Sequence, residues 1–156
     1  GHAGQAYWFS KAEGRFVTST FYRDEYPGWI ADWEAQQKVA SYSNQNWTLL
    51  RESDLYAFAD RDDQPWETTL PGFGRTFPHS WGPADNKYYT TFLTLSPAGD
   101  EITVDFAKAL IEAEQLGRDN VTDYLSVSLS STDYVGHIFG PSSLEAEDNF
   151  AHLCID

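Results

Sequence analysis

At 156 residues the chain is long enough for one domain with a real core and too short for two. Its composition is globular, 41% hydrophobic, 16% aromatic and 22% charged, with no apolar run long enough to span a bilayer. Ten basic against 24 acidic residues leave a net charge of −14. That field repels nucleic-acid backbones, and it repels small phosphorylated compounds unless metal ions or a few placed cations intervene.

A single cysteine, Cys154, excludes an internal disulfide framework and is expected as a half-buried thiol in a helix. No basic segment followed by an apolar one opens the chain, so no secretory signal is read there. The sequence holds no Met, and the chain is expected to be an internal stretch of something longer.

Ala6-Tyr7-Trp8-Phe9-Ser10 and Arg15 to Tyr22 flank a turn containing Gly14, which predicts a β-hairpin. Pro27 suits the first turn of a helix through Trp29, Ile30, Trp33 and Gln37 towards Ala40. Trp47 to Leu50 is a short strand or an ordered loop. From Asp60 to Lys87 periodicity dissolves among Pro65, Pro71, Pro78 and Pro83, while Trp66, Phe73, Phe77 and Trp81 remain. So long a loop is a functional lid, or an excursion glued down by its aromatics.

Thr103 is placed to cap a helix with Val104, Phe106, Ala107, Leu110, Ala113 and Leu116 on one face, ended by Gly117. Asp123 to Leu129 alternates apolar and small polar residues, as a strand covered on both sides does. Ser142 or Ser143 then caps a last helix from Leu144. The order helix, strand, loop, helix is an α/β unit, and such units place ligands at the carboxyl ends of strands.

That position holds Asp133 and His137, separated by Tyr134-Val135-Gly136. A carboxylate and an imidazole delivered together make good partial ligands for zinc, with Gly136 expected to free the backbone for a tight bend. The spacing alone is weak. Asp133 serves equally as a turn cap, and His137 as a satisfied buried side chain.

The longer string, Ser131 through Asp133-Tyr134-Val135-Gly136-His137-Ile138-Phe139-Gly140-Pro141 to Asp148, resembles the D-x-x-G-H-x-x-G-P signature of the alkaline phosphatase superfamily. The opening Gly1 to Phe9, Phe16 to Tyr22, Pro27-Gly28-Trp29 and Thr122 to Leu125 resemble its periplasmic branch, the one similar to nucleotide pyrophosphatase/phosphodiesterases. The resemblance covers nearly the full length. It implies an α/β fold with a partial three-layer core, zinc as cofactor with two ions side by side, and a Thr or Ser nucleophile that attacks phosphorus. It further implies a small phosphorylated substrate and a periplasmic or secreted location. By matching motif, Asp133 and His137 would be ligands of one zinc.

The rest of that machinery has no match here. No Asp-His dipeptide occurs, and the nucleophile, the phosphate-holding Lys/Arg pair and the remaining ligands would lie before Gly1 or after Asp156. The remainder of a parent chain is therefore an expected partner, and the 156-residue segment is expected to be inactive. Thr18 and Thr20 match the hairpin that follows the phosphate-binding segment.

In this frame residues 1–100 form a cap-like hairpin, helix and long loop, and 101–156 a helix, strand, metal loop and helix of the core. His2 has a possible supporting role at the site. His79 is expected at the surface, and His152 to face outward or cap the last helix. The acids Asp60, Asp62 and Asp63 are expected as a solvated loop. The alternative function is a carbohydrate-binding module with an acidic, aromatic-rich surface. A glycosidase ranks last, because the many acids single out no pair.

Overall fold

The computed structural model describes residues 3–154. It opens on the predicted hairpin, β1 (Trp8–Ser10) antiparallel to β2 (Arg15–Val17) with Phe9 opposite Phe16. Gly14 sits at φ +66°, in the left-handed region the tight turn requires, and its N–H donates to the Ser10 carbonyl at 2.7 Å.

Helix α1 (Gly28–Glu34) follows Pro27 but ends before Gln37, whose φ of +56° breaks the helical path; a single 3-10 turn then spans Ala40–Tyr42. Ile30 and Trp33 form its buried face. Strand β3 (Asn46–Trp47) pairs antiparallel with β4 (His79–Ser80), so the irregular region between them returns to the body at a two-residue ladder.

Helix α2 (Tyr89–Thr94), which the sequence did not announce, buries Tyr89, Phe92 and Leu93. Helix α3 (Pro97–Ala113) begins six residues earlier than Thr103, with Pro97 at its first position, where the missing N–H costs nothing. Thr103 is interior, and its hydroxyl donates to the Gly99 carbonyl at 2.8 Å. The helix stops short of Gly117 because Gln115 takes φ +58°. Phe106 carries its inner face and stacks on Phe16 with ring centroids 3.9 Å apart.

Helices α4 (Ser131–Phe139) and α5 (Leu144–Leu153) complete the body, and α3 packs against α1, α2, α4 and α5. Gly99 permits the α3–α4 approach: a Cβ there would stand 2.5 Å from Ser131 Oγ and 3.0 Å from Thr94 Cα. Ser143 caps α5, its hydroxyl accepting from the Ala146 N–H at 3.1 Å. Cys154 is exposed at the end of α5 rather than half-buried.

The expected strand over 123–129 is absent. That stretch has no regular secondary structure and pairs with no strand among the described residues, and Tyr124 is 90% exposed. It runs along an open groove of about 1100 Å³ shared with β1 and α3. An alternating pattern makes a strand only where a neighbour completes its hydrogen bonds.

Candidate metal centre

The segment expected as a ligand loop is helix α4. Val135 and Phe139, four residues apart and fully buried, give it an apolar stripe that docks on the body. Gly136 lies inside this helix and makes no bend; the left-handed residue is Gly140, φ +96°, which ends it. A side chain at Gly140 would press on Trp66, its Cβ 3.1 Å from the indole nitrogen. The start of α4 is anchored by Asp100, a buried carboxylate of α3 that accepts from the Ser131 N–H at 3.1 Å.

Because Val135 and Phe139 face inward, Asp133 and His137 share the outer face one turn apart. His137 Nε2 stands 3.6 Å from Asp133 Oδ1, and the two side chains are 76% and 74% exposed. The structure thus brings the two predicted ligands together on a rigid element and leaves most of any coordination sphere open. No third His, Cys, Asp or Glu joins them among the described residues. A zinc ion takes four ligands, so this pair is half a site at most.

The remaining histidines divide differently from expectation, with His2 outside the described residues. His79 is not at the surface: it is fully buried, with Trp47, Phe73, Phe77 and Phe139 around its ring. Its Nε2 lies 3.3 Å from Glu145 Oε1, itself fully buried on α5. Nor is Asp62 wholly a solvated loop acid, since it reaches the same place and accepts from the Phe77 N–H at 3.0 Å.

His152 does not face outward. Its ring lies between Glu101 (3.4 Å) and Asp148 (3.5 Å). Burial alone would lower its pKa, but the two carboxylates outweigh that and raise it to about 9. Asp148 also accepts from the Trp47 indole at 2.6 Å, from the Leu50 N–H at 2.8 Å and from the Tyr56 hydroxyl. Burial would raise its pKa, yet the His152, Leu50, Tyr56 and Trp47 donors together hold it below the usual carboxylate range.

No family model matches the chain. Alkaline phosphatase PhoV of Synechococcus elongatus is 43% identical over 155 residues, 98% of this chain and 28% of that protein. Alkaline phosphatase PafA of Elizabethkingia meningoseptica is 36% identical over 149 residues, 95% of this chain and 27% of its own length. The crystal structure of PafA matches the fold with a TM-score of 0.85 at 36% identity, over 95% of this chain and 29% of that one.

The chain belongs to the alkaline phosphatase superfamily. It spans a little over a quarter of the length of the curated relatives it matches. The hairpin, helices and small sheets described above are the corresponding portion of that superfamily's α/β architecture. No described helix is long and apolar enough to cross a membrane.

Proposed function

We propose that this chain forms part of a metal-dependent phosphate-ester hydrolase, in which Asp133 and His137 are two of the side-chain ligands of a zinc ion at the catalytic centre. The observation that carries the reading is the exposed pair, 3.6 Å apart on one helix face, within a fold shared with PafA. A carboxylate and an imidazole are suitable zinc donors, and their exposure leaves room for the ligands a complete site needs.

The chain's contribution is positional. Asp133 would offer a carboxylate oxygen and His137 an imidazole nitrogen to the ion. Both ride on α4, fixed by Asp100 at one end and by the Gly140 turn at the other. An ion held by these two residues would supply Lewis-acid stabilisation of charge on phosphate oxygens. With a net charge of −14, the protein attracts a small phosphorylated substrate only through such local positive charge. Two zinc ions, and a periplasmic or secreted location, belong to the same reading by resemblance.

The nucleophile and further ligands come from outside these residues on this reading, so the 156-residue chain alone is expected not to hydrolyse an aryl phosphate. In the full-length protein, Asp133→Ala should remove one zinc per chain and lower kcat/KM by more than the roughly 10–100-fold typical of losing an outer hydrogen-bond partner. Metal analysis alongside an aryl phosphate assay checks both. An Asp133→Ala protein with unchanged zinc and turnover would overturn the assignment.

A further inference from the structure

We propose that Asp62, His79 and Glu145 form a second, structural site for a divalent transition-metal ion, zinc by donor chemistry, independent of the Asp133–His137 pair. One ligand atom from each of the three lies within 4.8 Å of the other two. The His79 Nε2 to Glu145 Oε1 distance is 3.3 Å. Donors about 2.0–2.1 Å from a tetrahedral ion stand about 3.3–3.4 Å apart, so two corners are already set.

This cluster sets a fully buried imidazole against a fully buried carboxylate, with the Asp62 carboxyl beside Glu145. His79 Nε2 and both oxygens of Glu145 are buried without a hydrogen-bond partner, although the two groups are close enough for one. Buried polar atoms are otherwise almost always satisfied.

The outer atoms are already engaged, as around a metal site. His79 Nδ1 lies 3.3 Å from the Phe73 carbonyl, a contact that places the ring proton on Nδ1 and leaves Nε2 as the ligand atom. One Asp62 oxygen takes the Phe77 N–H, which orients the carboxylate beside Glu145. Glu67 adds a further buried carboxyl with both oxygens unpartnered.

Donor chemistry selects the cation. One imidazole and two carboxylates suit zinc, or failing it manganese or ferrous iron, whereas calcium prefers six or more oxygens. Full burial of His79 and Glu145 marks the role as structural. Asp62 lies in the irregular region, His79 on β4 and Glu145 on α5, so one ion would fasten the aromatic-rich excursion to the helical body.

The test uses the full-length protein, equilibrated with zinc and then dialysed, with zinc per chain counted for the parent, Glu145→Gln and Asp62→Asn. Near-ultraviolet circular dichroism reports whether each variant is folded. The expected result is one zinc fewer in each variant, with the Asp133–His137 complement unchanged. Equal counts in folded variants would overturn the proposal, whatever the phosphatase activity proves to be. If both variants misfold, anomalous scattering from zinc-grown crystals of the parent decides. A peak about 2.1 Å from His79 Nε2 supports the site, and no peak there refutes it.

Discussion

Two histidine–carboxylate pairs in this protein have nearly the same separation, 3.6 Å for Asp133–His137 and 3.3 Å for Glu145–His79, in opposite surroundings. The first stands on the outer face of α4, where water solvates every lone pair and leaving the donors unliganded costs little. The second is sealed among aromatic rings, where burying the donors carries a desolvation cost that water does not offset. Proximity of two donors therefore does not identify their role. What surrounds the remaining lone pairs does. The exposed pair should matter to chemistry and little to folding, and the buried polar groups should do the reverse.

The largest effect expected on folding falls on Asp148, the buried carboxylate that collects Trp47, Leu50, Tyr56 and His152. Asp148→Ala strands those donors inside the protein and should cost about 3–5 kcal/mol, measured by denaturant unfolding of the full-length protein. A loss below about 1 kcal/mol would show that water reaches this hub, and the contrast with α4 would collapse.

The same hub titrates. His152 has its folded pKa raised to about 9 from an ordinary 6.5, so its contribution is complete below 6.5 and drains away as pH rises through about 9. Asp148 and Glu101 are shifted down, so their contribution is present above ordinary carboxylate pKa values and is lost only in stronger acid. Tm measured from pH 6 to 10 should fall by an amount equivalent to about 1–3 kcal/mol after solvent screening. Asp148→Asn, which removes one of the two charges, should flatten that fall. An unchanged slope would assign it to other groups.

The hairpin, the Ser143 cap and the last helix were legible because local chemistry decides them: a glycine at a left-handed turn, a hydroxyl at a helix start. The α4 helix was hidden because Asp133, Gly136 and His137 look like loop residues, although the buried pair Val135 and Phe139 at i and i+4 was the available signal. Residues 123–129 carried a true alternation, but strand formation depends on a neighbour that local sequence does not specify. His79 and Asp62 were missed for a related reason. They sit 17 residues apart in a stretch without periodicity and meet Glu145 only through tertiary packing, so no spacing rule reaches them.

The smallest expected effect is the most pointed test of the comparison. Asp133 stands in the first turn of α4, where the helix dipole favours a carboxylate by about 0.3–1 kcal/mol. Metal-free Asp133→Ala should therefore unfold within about 1 kcal/mol of the parent, while the same variant loses turnover. Asp133→Asn separates the contributions, since it keeps most of the side chain's volume and removes the charge that serves both helix and cation. If the metal-free Ala variant were destabilised as severely as Asp148→Ala, the outer face of α4 would be part of a buried surface in the full-length protein, and its exposure could no longer mark it as a site for chemistry.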